Sequence, residues 1–431
     1  KLLEFLIIYF PIFFFLRSFT LNSILVIISI IFIYIFIKNK LNLLKNNINK
    51  LFFLFIIYLS ASQLFIYDDY NFFFKSLFLI KFFFLINATV FVWSNISFKK
   101  LEQKLKYLNY TFIIFIIDIY YQYIFKENIL GFPGGFCSGT NGECFRFSGI
   151  FGNELIAGAY ISIVVVTLYI STILIKKNFF NYLIPIILLI TVFLTGERTA
   201  LIFTLIFVTL FYAITFKDVK NKFKFLSIFF FSLYLSFNFF FTETSKKRFF
   251  QNTISDLNLI NHDLRNLTFY EKLRFTPWGL HYNASILMIM DKPIFGNGFK
   301  SFRHKCGNYN YLMNTYDNDG IAKSSGFKVC TTHPHQFHLE IITDSGFLGY
   351  FIFLSLIIYY LKNFYILTNK LENKYHILIF LYLLILIFFP RPTGSIFSTT
   401  FGSMFWYALS TLYGSVVFFQ KNKKIIKNNK N

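Results

Sequence analysis

The chain has 431 residues, of which 56% are hydrophobic, 23% aromatic and only 14% charged, and its mean hydropathy is +0.56. A soluble domain averages about a quarter charged residues, so that class is excluded, together with disorder, collagen and the disulfide miniprotein. The 42 Lys+Arg against 20 Asp+Glu leave a net +22. In a soluble protein that excess points to nucleic acid, but here the lysines read as a topology signal, and no nucleic-acid partner is expected.

Apolar runs long enough to span a bilayer fall at residues 2–16, 20–37, 51–67, 72–94, 108–125, 154–175, 179–195, 199–216, 225–241, 346–361, 375–389 and 395–419. They read as about twelve helices of an all-α polytopic membrane protein. The first run contains Pro11 and has no small-residue cleavage site after it, and a second run follows at once, so it reads as a membrane helix rather than a cleaved signal. No initiator Met is present, so residues can precede Lys1. Lys75 and Lys81 fall inside the fourth run, where snorkelling would accommodate them.

Alternate connections hold lysine clusters: Lys38 to Lys50, Lys99 to Lys106, Lys176 with Lys177, Lys217 to Lys224, Lys362 to Lys374, and the tail from Lys421 to Lys430. The positive-inside rule places these, and both termini, in the cytoplasm. The other connections carry Arg17, Asp68 with Asp69, Lys126 with Arg146, Arg198, and Arg391, and so face outward. The chain then divides into residues 1–241, with nine spans and a short outer loop at about 126–153; residues 242–345, a large outer loop containing short helices; and residues 346–431, with three spans and a basic tail.

All four cysteines lie in the two outer loops, Cys137 with Cys144 and Cys306 with Cys330. Two local disulfides are the simplest pairing on an oxidising side of the membrane. Four free thiols are the competing reading, and the absence of CxxC spacing speaks against zinc.

Candidate chemistry gathers on the same outer side. The string Leu194-Thr195-Gly196-Glu197-Arg198-Thr199-Ala200 puts a Glu-Arg pair between two apolar runs, either as a functional group or as an interfacial anchor. Arg146 opens the string Arg146-Phe147-Ser148-Gly149-Ile150-Phe151-Gly152-Asn153 at the mouth of the next span. Arg274 precedes Thr276-Pro277-Trp278, where Thr276 is a candidate N-cap and Pro277 a first helical residue, with an amphipathic stretch running to about Met290. Arginine suits a diphosphate because its planar fork donates two parallel hydrogen bonds and keeps its charge. Three such residues on one face would form an anion clamp. The turn Pro293-Ile294-Phe295-Gly296-Asn297-Gly298-Phe299 reads as an ordinary Gly-rich turn.

The segment from Thr332 to Gly349 holds His333, His335 and His338. Pro334 suits the first turn of a helix, which would place His335 near a helix N-terminus as a neutral base able to take a proton from a hydroxyl. Two other readings compete: a solvated helix start, and a metal site through His335-x-x-His338. HExxH is absent, and Glu340 would lie on another face. His262, His281, His304 and His376 read as background.

His335-Gln336, nine residues, then Gly346-x-x-Gly349 resembles the His-[Asn/Ser/Gln]-x9-Gly-x-x-Gly motif of the bacterial O-antigen ligases. The strings around Arg198 and from Arg146 to Asn153, the stretch from Arg274 to Gly298, and Pro392-Thr393-Gly394-Ser395 are similar to other motifs of that ligase and polymerase superfamily, in the same order. The likeness runs from about residue 146 to the end. It implies a GT-C-like, inverting, metal-independent glycosyltransferase of the inner membrane with no cofactor and a periplasmic active site. It further implies an undecaprenyl-diphosphate-linked glycan as donor, a sugar hydroxyl of lipid A core as acceptor, and membrane lipids as surroundings. By the same resemblance Arg198 and Arg274 would hold the diphosphate and His335 would be catalytic. Arg146, Glu197 and His338 stand in a second rank. The alternatives are a polymerase joining lipid-linked repeat units, and a transporter. For transport, ionisable residues should gather near the bilayer midplane in repeated halves, whereas here charge gathers at the outer interface and no halves repeat.

Overall fold

A computed structural model describes residues 1–16, 18–40, 42–65, 70–138, 143–175, 182–216, 276–306, 330–370, 375–388 and 392–422, with isolated positions between 218 and 268. Arg274 and most of the 225–241 run lie outside the described residues.

Among the described residues seven helices are long and apolar enough to cross a membrane: Ser18–Lys38, Asn47–Leu64, Asn71–Asn95, Phe98–Phe125, Ala157–Leu174, Arg198–Thr215 and Phe337–Asn369. Twelve spans were expected, and the remaining runs differ for local reasons. Residues 2–16 do not form one span, because the chain turns at Tyr9 from the helix Leu2–Ile8 into the tighter helix Phe10–Phe15 with Pro11 in its first turn. The runs at 179–195 and 375–389 give helices of only 11 and 14 residues, Ile184–Leu194 and Tyr375–Phe388. The last run forms the long helix Thr399–Lys421, rich in Ser, Thr, Gly and Tyr, which lies almost wholly buried against Ile80–Asn95 and Val166–Ile175. Small residues permit that approach: a Cβ on Gly414 would stand 2.6 Å from the Cβ of Trp93.

One short hairpin departs from the all-α expectation. Strands β1 (Gly135–Ser138) and β2 (Glu143–Arg146) pair antiparallel, with Cys137 opposite Cys144 and Gly135 opposite Arg146. In the large loop Cys306 and Cys330 form a disulfide.

The lysine-rich helix ends meet at one end of the bundle. Lys421 Nζ donates to the Ser94 carbonyl at 3.2 Å, Asn47 donates to the Tyr359 hydroxyl at 3.0 Å, and Lys104 pairs with Glu4 at 3.5 Å. Lys75 is exposed, in keeping with snorkelling, but Lys81 is not free to snorkel. Its ammonium donates to Asn22 Oδ1 at 2.7 Å and Thr399 Oγ1 at 3.1 Å, so a charge inside a span is met by partners on two other helices.

The helix Phe337–Asn369 is kinked at Gly346, whose φ of 66° and ψ of −176° are not helical. The turn from Pro293 to Gly298 docks into that break. Phe347 and Leu348 donate to the carbonyls of Pro293 and Ile294 at 2.8 and 3.2 Å, while Asn297 and Gly298 donate to those of Thr343 and Asp344 at 2.8 and 3.0 Å. A Cβ on Gly346 would lie 2.2 Å from the Ile294 carbonyl oxygen. Glycine is therefore required here both by its backbone conformation and by the space.

Candidate functional site

At the other end of those same helices from the lysines, a cavity of about 560 Å³ opens, within the size range of small-molecule sites. Arg146, Glu197 and Arg198 line it together with Trp278, Arg303, His333, His335 and the turn Pro392 to Ser395. Arg198, Arg146, Glu197 and His335, which the sequence singles out, thus share one cavity. Arg303, His333 and Trp278 were not singled out for it, and His338 is not among its lining residues.

Arg198 is the first residue of its helix, and its Nη1 donates to Thr253 Oγ1 at 2.9 Å. A cation there opposes the helix dipole by about 0.3–1 kcal/mol, so its placement calls for a reason other than helix stability. Glu197 accepts from the backbone N–H of Gly158 at 2.7 Å and Ala159 at 3.1 Å, holding the start of the span Ala157–Leu174. Gly158 suits this approach, since a Cβ on it would meet Thr195 Oγ1 at 2.6 Å. Arg146 donates to the Leu155 carbonyl at 3.3 Å. Burial works against its charge, Glu197 supports it and Arg198 opposes it. Two guanidinium groups and one carboxylate leave this wall with a net positive charge.

His335 stands next to a helix N-terminus, as expected, but ahead of the helix. The helix begins at Phe337, with the Gln336 side chain accepting from the Leu339 N–H at 2.7 Å as its N-cap. Pro334 therefore lies ahead of the helix rather than in its first turn. His335 itself is in the left-handed region, at φ 56°, a conformation that costs a non-glycine residue about 1–2 kcal/mol.

Thr393 holds it there. The Thr393 N–H donates to the His335 carbonyl at 2.6 Å, its hydroxyl oxygen accepts from the Phe337 N–H at 3.0 Å, and its carbonyl lies 3.3 Å from His333 Nε2. Glu340 reinforces the same turn, accepting from Ser395 Oγ at 2.5 Å and from the Ile396 N–H at 3.1 Å.

The three histidines of the segment differ in what their rings do. His333 Nε2 faces a carbonyl and must donate to it, so Nδ1 accepts from the Thr332 hydroxyl at 2.9 Å. His338 likewise donates from Nε2 to the Ile387 carbonyl at 2.9 Å, with Tyr350 at Nδ1 and Phe388 stacked on its ring. It links two helices. The His335 imidazole makes no hydrogen bond among the described residues; it packs edge-on to Trp278 at 4.9 Å between centroids and beside His333 and His281 at 4.2 and 5.3 Å. Burial first, then His333 and His281, push its pKa down to about 3, and burial pushes His333 down to about 4. Both rings are therefore neutral near neutrality, and His335 lines the cavity with no ring hydrogen bond among the described residues. Among the described residues no group of three His, Cys, Asp or Glu is placed to hold a metal ion.

Asp344 fixes the backbone just ahead of Arg303, a lining residue of the cavity. It accepts from the Lys300 N–H at 2.6 Å, the Ser301 N–H at 3.0 Å and Ser301 Oγ at 2.8 Å, all buried or half-buried. Asp344→Ala would strand these donors at about 1–3 kcal/mol each. The expected result is a clear drop in the detergent-solubilised melting temperature, with Asp344→Asn falling between the two.

The O-antigen ligase family model (Wzy_C) matches residues 183–354, which include Arg198, Arg303 and His335. No curated protein matches the chain. Over that segment, whose matching residues Arg198, Arg303 and His335 line the cavity, the chain is similar to the O-antigen ligase family.

Proposed function

We propose that the protein is an inverting, metal-independent glycosyltransferase of the inner membrane that moves a glycan from undecaprenyl diphosphate to a sugar hydroxyl of lipid A core. The observation that carries this reading is the meeting of Arg198 and an unbonded, neutral His335 in one cavity. The cavity faces the periplasm and the lysine-rich end, with both termini, lies in the cytoplasm, in keeping with the positive-inside rule.

In this reaction the acceptor oxygen bonds to the anomeric carbon while the bond from that carbon to the diphosphate oxygen breaks. Negative charge develops on the leaving diphosphate. Arg198, assisted by Arg274, meets it with fixed positive charge, which a dry cavity makes more effective than water would. His335 accepts the hydrogen bond of the acceptor hydroxyl and so orients a lone pair toward the carbon. In the empty cavity its proton affinity is too low for a strong base. A bound diphosphate dianion raises it toward the operating range, so that the ring takes the hydroxyl proton late in the transfer.

A polymerase would share the donor site and differ in its acceptor. The test supplies reconstituted protein with labelled glycan on undecaprenyl diphosphate, in EDTA, and offers either lipid A core or a second lipid-linked glycan. Label on lipid A core supports the ligase. Label only on the second lipid-linked glycan makes the protein a polymerase, and dependence on added divalent metal contradicts the mechanism.

A further inference from the structure

Arg303 belongs to neither the Arg146/Arg198 wall nor the histidine segment, yet it lines the same cavity. It is exposed, and no carboxylate among the described residues pairs with it. Its mount is unusually firm for a residue in a long loop. It sits on the short helix Phe302–Lys305, whose Phe302 packs with Ala284, Met288 and Cys306 in a small buried cluster. Ahead of the helix, Asp344 fixes the Lys300 and Ser301 backbone. Behind it, Cys306 is joined to Cys330, three residues before His333. The disulfide therefore staples the helix carrying Arg303 to the segment carrying His335. Arg303 lies close enough to His333 for its charge to oppose protonation of that ring.

A guanidinium with no carboxylate partner among the described residues, mounted at the edge of a cavity that already contains two more, is suited to an anion with paired oxygens. We infer that Arg303 is a phosphate-binding residue of this cavity, held beside the His335 segment by the Cys306–Cys330 disulfide. The inference rests on the donor and acceptor assignment proposed above. The phosphate belongs either to the donor diphosphate or to a phosphorylated acceptor sugar.

The experiment measures binding of undecaprenyl diphosphate, with undecaprenol as the uncharged control, to the wild-type protein and to Arg303→Ala and Arg303→Lys. It then measures KM for lipid A core with and without its phosphate groups. One lost charge-assisted hydrogen bond corresponds to about a tenfold or larger weakening. If Arg303→Ala weakens undecaprenyl diphosphate by that factor and leaves undecaprenol unchanged, with Arg303→Lys recovering part, the phosphate is the donor's. If only the KM of the phosphorylated acceptor rises, it is the acceptor's. Unchanged values for all of these overturn the inference. The Cys306→Ser, Cys330→Ser double variant is expected to shift the same parameter as Arg303→Ala, and an unchanged parameter there overturns the stapling role. Wild-type protein that binds undecaprenyl diphosphate through Arg303 yet transfers glycan to neither acceptor would contradict the proposed function and leave this inference standing.

Discussion

His335→Asn is expected to lower kcat for glycan transfer by about 10²–10⁴-fold, the range contributed by a positioned acid–base group, with little change in donor binding. Asparagine is the sharper substitution because it tolerates the left-handed backbone that His335 adopts at φ 56°. It keeps the Thr393 contact to the residue 335 carbonyl and removes only the imidazole. His335→Ala adds backbone strain, so a loss seen with alanine alone would indicate a structural role. A kcat within a few-fold of wild type in the asparagine variant would remove His335 from the chemistry.

The same ring sets the pH behaviour. His335 and His333 sit at about 3 and 4, both below the ordinary 6.5. As pH falls the unfolded chain takes up protons first, so the contribution to stability is full above about 6.5 and declines as pH drops toward those values. The melting temperature should fall over that window, and less in His335→Asn. The free enzyme's kcat/KM should show no histidine ionisation between about pH 5 and 8. An acid limb centred near 6.5 that vanishes in His335→Asn would contradict the neutral, buried ring.

Arg198→Ala is expected to lower kcat by about 10²–10³-fold, the loss typical for one donor aimed at developing charge, and to raise the donor KM. Arg198→Lys should recover part of this, since it restores charge without the two-pronged geometry. The stability readout separates function from structure. A cation on the first residue of Arg198–Thr215 faces the positive end of the helix, so its removal should leave the ligand-free melting temperature unchanged or slightly raised. A large stability loss together with an unaffected donor KM would make Arg198 an interfacial anchor, the plainer reading of the Glu197-Arg198 string.

Much of the fold is legible as hydrophobic runs because a lipid-spanning helix must be apolar along about 20 residues. Seven such helices stand where runs were read. Legibility fails where helices are shortened or interrupted by packing. Pro11 splits the first run, and the break at Gly346 exists only because the distant turn at Pro293 to Gly298 supplies its hydrogen bonds. The motif spacing exposed Gly346 and Gly349 but not what fills the kink.

The site divides in the same way. Arg198 and His335 were visible as polar residues bordering apolar runs. Thr393, which binds the His333 to Phe337 segment through its N–H, hydroxyl and carbonyl, lies about 60 residues away; its turn stands out as a motif string, but nothing in the string says that it meets the histidines. Arg303 was obscured among the other charges of a long loop. The sequence signal for it is the Cys306 and Cys330 pair, whose bonding brings their neighbours Arg303 and His333 together. Lys81 looked like a snorkelling lysine because its partners, Asn22 and Thr399, are brought to it only by the fold.

The central claim is that one cavity holds the leaving diphosphate against Arg198 while His335 faces the acceptor. An experimental structure of the protein with undecaprenyl diphosphate bound tests this most directly. The account predicts diphosphate density within hydrogen-bond reach of the Arg198 guanidinium, inside the cavity that His335 lines, with the lipid chain leaving between helices. Diphosphate density in a different cavity, with Arg198 and His335 both untouched, would contradict it.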